Sequence, residues 1–75
     1  MRIQFIKYIH EKILIEGTGS PKELALLLNT SERTIYNYIK YMRLELNAPI
    51  VYNRTKCTYL YHMPCNINFI HNDAI

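Results

Sequence analysis

The sequence predicts a mainly α domain closed by one small β-hairpin, that is, an α+β arrangement of three helices followed by two short strands. Three observations predict it. Apolar residues recur at helical spacing over residues 3–15 and again over 35–46. A helix-start signature, Ser20-Pro21-Lys22-Glu23, stands between them. Past Pro49 the pattern changes to β-branched and aromatic runs split by a polar, basic stretch. The 75 residues leave room for one domain, assigned to residues 1–63, with an unassigned tail over 64–75.

In the first helix, Ile6, Ile9 and Ile13 form an apolar stripe with Phe5 and Leu14 beside it, while Lys7, Glu11 and Lys12 take the wet side. His10 lies near the dry side, as a packed or boundary residue. Gly17-Thr18-Gly19 stops this helix, because glycine favours the irregular dihedrals of a turn.

The second helix starts at Ser20. Its hydroxyl can cap free amides, Pro21 suits the first helical position, and Glu23 completes a capping box. Leu24-Ala25-Leu26-Leu27-Leu28 makes it short, and Asn29-Thr30 closes it, since Asn tolerates the left-handed conformation that ends helices.

Ser31 caps the third helix, with Glu32 near its positive end. Ile35, Ile39, Met42 and Leu46 give one apolar stripe with Tyr38 at its flank. At about 100° per residue, Arg33, Asn37 and Lys40 fall together on the opposite face, with Tyr36 at its edge. Asn47-Ala48-Pro49 ends the helix. Ile50-Val51-Tyr52 and Thr58-Tyr59-Leu60-Tyr61 then read as a hairpin with Asn53-Arg54-Thr55-Lys56-Cys57 as a basic tip, and Pro64 ends its second strand.

The net charge of +3 is uneven: residues 1–30 balance to +1, 31–60 to +3 and 61–75 to −1. A positive excess concentrated in one segment is the pattern of a nucleic-acid footprint. No apolar run approaches the roughly 20 residues that span a bilayer. The start of the chain lacks a signal-peptide pattern, because Lys7, His10, Glu11 and Lys12 interrupt it. The expected compartment is therefore the cytoplasm, with Cys57 and Cys65 as reduced thiols.

Nothing in the sequence suggests catalysis. No Ser/His/Asp, Cys/His or glycine-rich phosphate loop occurs in a supportive context, and the only Asp is Asp73. Cys57, His62, Cys65 and His71 lack the tight ligand pairs of zinc sites. No cofactor, metal or small-molecule substrate is expected. The seven tyrosines raise the question of base stacking on single strands. Tyr52, Tyr59 and Tyr61 are expected to pack the hairpin on the helices, which leaves Tyr36 and Tyr41 as stacking candidates.

Two short helices joined by a tight turn, the second with a polar and basic outer face, describe a helix-turn-helix. Ala25 supplies the small residue where the helices cross, Asn29-Thr30-Ser31 the turn, and Ile35 the anchor of the second helix to the core. The run from Ser20 to Lys40, above all Ser31-Glu-Arg-Thr-Ile-Tyr36, resembles the winged helix-turn-helix units at the N-termini of bacterial transcription regulators of the deoxyribose-repressor and biotin-repressor types. Leu46-Asn-Ala-Pro-Ile-Val-Tyr52 is similar to that family's passage from recognition helix into wing. The similarity extends over residues 3 to about 62.

The resemblance implies double-stranded DNA as partner. The recognition helix, residues 32–46, would enter the major groove with Arg33, Tyr36, Asn37 and Lys40 facing DNA and Ser31 and Thr34 at its start. Ser20 and Lys22 would hold a backbone phosphate at the second helix's N-terminus. Arg54 and Lys56 at the wing tip would reach the neighbouring minor groove or its phosphates.

Three departures from the family pattern stand out. Asn29 stands where the family usually has glycine, which the turn tolerates because Asn also reaches the left-handed region. Thr58 stands where many wings have glycine before the aromatic, so the wing tip is expected to differ in shape. Leu26, Leu27 and Leu44 stand where polar residues are common, so they are either covered or form an exposed apolar patch. Such a patch would serve a homodimer or a partner protein. The competing expectation is a winged-helix interaction module without significant DNA affinity.

Overall fold

The computed structural model describes residues 2–65, and within them the chain forms α1 (Ile3–Leu14), α2 (Pro21–Leu27), α3 (Glu32–Glu45), β1 (Ile50–Asn53) and β2 (Thr58–Tyr61). This is the expected mainly α layout with one antiparallel hairpin, winged-helix-like in the order of its parts. The part of the tail assignment from Asn66 onwards lies outside the described residues.

The apolar stripes meet in one core. Ile6, Ile9 and Ile13 of α1, Leu24 and Ala25 of α2, and Ile35, Tyr38, Ile39 and Met42 of α3 are buried together with Ala48, Ile50 and Tyr59. Full burial of a side chain of isoleucine or leucine size stabilises by about 1.5–3 kcal/mol, so these positions supply most of the driving force. Ala25 lets α2 pack closely on α3, and α1 packs along β2. Leu46 is only partly buried, so the core stripe of α3 effectively ends at Met42. Leu14, expected beside the α1 stripe, is exposed, because its position turns past the core side.

Each helix ends as its sequence allows. At α2, Ser20 Oγ accepts from the Glu23 amide at 3.2 Å while the Ser20 amide donates to Glu23 Oε1 at 2.9 Å, the reciprocal capping box. Ser31 Oγ accepts from the Thr34 amide at 3.1 Å and caps α3. After α2, Asn29 is left-handed (φ 54°), and the Thr30 amide donates to the Ala25 carbonyl at 2.9 Å. The stop after α1 differs from the expectation. Glu16, not Gly17, takes the left-handed residue (φ 54°), which lets the Gly17 amide reach the Lys12 carbonyl at 2.8 Å. The glycine with positive φ is Gly19 (φ 72°), where a Cβ would come within 3.1 Å of the Glu23 side chain and crowd the capping box.

β1 and β2 pair in the register Ile50↔Tyr61, Val51↔Leu60, Tyr52↔Tyr59 and Asn53↔Thr58. The second strand thus ends at Tyr61, before Pro64, although the His62 amide still bonds the Pro49 carbonyl at 3.0 Å. The tip is Arg54–Cys57. Asn53 Oδ1 accepts from the Lys56 amide at 2.9 Å, and Cys57 (φ 53°) takes the left-handed position of the tip, one residue before Thr58.

Thr58 is therefore free for another task. It is buried, and its hydroxyl accepts from the Thr18 amide at 3.1 Å. Thr18 Oγ1 in turn accepts from the Tyr59 amide at 2.8 Å. Thr18 thus lies along the outer edge of β2, with hydroxyls in place of part of a ladder, and joins the α1–α2 connection to the hairpin. Among the described residues no buried side-chain polar atom lacks a partner. His10 is buried with Nδ1 2.7 Å from the Tyr61 hydroxyl, a second link from helices to hairpin.

Candidate nucleic-acid interface

α3 has three sides with different tasks. Ile35, Ile39 and Met42 hold it to the core, so Arg33, Asn37 and Lys40 stand on the opposite side, and all three are exposed. At about 100° per residue, Leu44 falls in the same sector. Leu44 is 65% exposed and borders a shallow depression with Asn37, Lys40, Tyr41 and Glu45. The outward stripe is thus polar and basic along its first turns and apolar at its C-terminal end.

The third side of α3 faces the hairpin across an open groove. Tyr36, Lys40 and Arg43 line it from the helix, Tyr52, Arg54 and Tyr59 from the hairpin, with Pro21 at its edge. Three of these side chains are cationic and none is acidic. Tyr52 and Tyr59, paired across the strands, meet edge to face with ring centroids 5.0 Å apart. Burial pushes the Tyr59 hydroxyl up to about 12, and desolvation also raises that of Tyr52, so both stay protonated near neutrality. Arg43 is exposed, yet its Nε donates to the Ile50 carbonyl at 3.0 Å, which ties the end of α3 to the start of β1.

The other expected contacts are placed less freely. At the start of α2 the capping box occupies the Ser20 amide and hydroxyl oxygen as well as the Glu23 amide, and Pro21 has no N–H. Glu23 also brings a carboxylate to that end, held below the usual range first by the Ser20 amide and then by its hydroxyl. What remains for an anion there is the exposed Lys22. Ser31 and Thr34 are linked hydroxyl to hydroxyl at 3.0 Å in the α3 cap. At the hairpin tip, Arg54 is exposed on the groove side, whereas Lys56 Nζ pairs with Glu16 Oε1 at 3.0 Å. An exposed pair of this kind is worth about 0–1 kcal/mol, little enough to exchange for another anion.

Leu26 and Leu27 are 73% and 59% exposed, so the uncovered alternative holds for both, as it does for Leu44. Of the two tyrosines considered for stacking, Tyr36 is exposed and in the groove, while Tyr41 is half-buried beside Leu44. Among the described residues no three His, Cys, Asp or Glu side chains come together as metal ligands, and His71 lies outside them. No helix among the described residues is long and apolar enough to cross a membrane.

Sequence reasoning missed Arg43, Tyr52 and Thr18. Arg43 was detectable: Tyr36, Lys40 and Arg43 follow each other at i, i+4, i+7 and so share one side of α3. Tyr52 and Thr18 were not, because their places depend on how the hairpin lies against the helices. Comparison of the chain with protein-family models, with curated proteins and with solved structures finds no match.

Proposed function

We propose that the chain is a non-catalytic, sequence-specific binder of double-stranded DNA, acting as a small transcriptional regulator of bacterial or phage type. The observation that carries this reading is the outward stripe Arg33–Asn37–Lys40, exposed on a 14-residue helix whose opposite side is core. A helix about 10–12 Å across fits the major groove, which is about 12 Å wide. There an arginine can pair with guanine O6 and N7, an asparagine with adenine N6 and N7, and a lysine with a phosphate or base. The hairpin adds Arg54 beside the helix and, once released from Glu16, Lys56. Selection of bound sequences from a random duplex pool tests the reading. Enrichment of one motif supports it, enrichment of none with salt-sensitive binding leaves non-specific binding, and absence of binding removes it.

A second reading has its own support in the exposure of Leu26, Leu27 and Leu44. Under it the scaffold docks on a protein, or on a second copy of itself, through these leucines. The two readings separate by mutation: Arg33 and Lys40 matter to the first, Leu26 and Leu27 to the second.

A further inference from the structure

We propose that the groove between α3 and the hairpin is a phosphate clamp that grips the phosphodiester backbone of one strand of duplex DNA, with Arg43 as its central donor. The inference rests on the duplex-binding reading and adds to it a sequence-independent contact between the base-reading stripe and the hairpin tip.

Charge and geometry together support it. Lys40, Arg43 and Arg54 line the groove and no carboxylate lines it. Glu23, which acts on Tyr52 from beside it, is engaged by the Ser20 amide, so the lining itself is cationic and a polyanion is the complementary occupant. Arg43 is held in place rather than waving in solvent: its Nε is fixed on the Ile50 carbonyl at 3.0 Å. That bond uses one of the five guanidinium N–H donors and leaves four on the terminal nitrogens, the fork that matches two phosphate oxygens. A tethered arginine has less freedom to lose on binding than a free lysine. Tyr36 and Tyr52 stand on the two walls, so each can offer a hydroxyl to the same backbone. Because Arg43 bridges the end of α3 and the start of β1, a phosphate bound there would fix the angle between helix and hairpin.

The test measures affinity against salt concentration for a selected duplex, a random duplex and a single strand, using the full chain and its Arg43→Gln, Arg43→Lys and Tyr52→Phe variants. The glutamine can still donate to the Ile50 carbonyl but carries no charge. Arg43→Gln is expected to weaken binding of both duplexes roughly tenfold. It should make the slope of log K against log salt shallower by about 0.9, one phosphate's worth, while the sequences selected from a random pool stay the same. Arg43→Lys should keep the slope and lose affinity, and Tyr52→Phe should lose affinity a few-fold without changing the slope.

If Arg43→Gln fails to fold, neutral methylphosphonate linkages placed singly in the duplex take its place. One linkage should then cost affinity, and Tyr52→Phe should cost less on that duplex than on the unmodified one. An unchanged slope in a folded Arg43→Gln, an altered selected motif, or a Tyr52→Phe loss equal at every linkage overturns the clamp alone. Single strands bound as tightly as duplex, with the same dependence on Arg43, overturn its assignment to duplex. No duplex binding by the unaltered chain overturns the proposed function and the clamp with it.

Discussion

The hydroxyls of Thr18 and Thr58, separated by 40 residues, meet at 2.9 Å in a buried contact that joins the α1–α2 connection to β2. Thr58 accepts from the Thr18 amide, and Thr18 accepts from the Tyr59 amide. Replacing either residue by valine keeps the shape but strands an amide away from water. Thr58→Val is therefore expected to lower unfolding free energy by about 1–3 kcal/mol. Thr58→Gly, which removes the hydroxyl together with the Cβ, should lose at least as much. Chemical denaturation measures both, and an unchanged midpoint in Thr58→Val would show the hydroxyl pair to be dispensable.

What the sequence made legible was local. The capping box at Ser20 and Glu23, the left-handed Asn29, the cap at Ser31 and the buried stripe Ile35, Ile39, Met42 all depend on residues within one or two helical turns. The outward side of α3 followed from the same periodicity. Contacts made across the chain were less accessible. Thr18 looked like part of a glycine turn, and only its position beside β2 makes it a structural post. Lys56 read as a free tip charge until the hairpin's approach to α1 placed Glu16 3.0 Å away. Arg43 shares a side of α3 with Tyr36 and Lys40 by spacing alone, but its tie to the Ile50 carbonyl depends on where that strand returns.

His10 provides a pH test of the helix–hairpin joint. Burial lowers its pKa below the ordinary 6.5, with Glu11 pulling it partly back. The ring faces the Tyr61 hydroxyl, whose own pKa burial raises. The unfolded chain then takes up a proton at a pH where the folded chain still refuses one. Stability should hold above 6.5 and fall as the pH drops through that value toward the lowered folded pKa. Unfolding midpoints measured from pH 8 down to about 5 should show the fall in the native chain, with a shallower one in His10→Gln. Equal curves would remove His10 as the cause.

Asn29 occupies the left-handed region with φ 54° in the turn between α2 and α3. Asparagine enters that region at modest cost, glycine at none, and a β-branched residue at about 1–2 kcal/mol. Asn29→Gly should therefore leave thermal stability nearly unchanged or slightly higher, while Asn29→Val should lower it. A turn that tolerated valine would have to have changed its backbone, and with it the angle at which α3 is presented.

Leu26 and Leu27 raise a question of assembly, since both are uncovered in the single chain. If they drive self-association, sedimentation at rising concentration should show a dimer, and Leu27→Glu should return it to monomer without loss of fold. A chain that stays monomeric at high concentration, with solubility unaltered by Leu27→Glu, would reduce these leucines to ordinary surface residues. The outcome also decides whether a bound duplex carries two half-sites, because a two-fold dimer reads a two-fold sequence.

Arg33, Asn37 and Lys40 share one exposed stripe, yet their substitutions should differ in kind. A side chain that pairs with a base edge discriminates among bases, whereas one on a phosphate strengthens every sequence alike. Arg33→Ala is expected to cost about 1–3 kcal/mol of binding free energy on the selected duplex and to relax preference at a single guanine position. Asn37→Ala should do the same at an adenine. If Lys40 stands on a phosphate, Lys40→Ala should weaken all duplexes by a similar factor and make the salt dependence shallower by about 0.9. Titration of each variant against the selected duplex and its single-base variants separates these patterns. A uniform loss for Arg33→Ala, with every base preference intact, would move sequence reading away from α3 and leave the stripe as an electrostatic surface only.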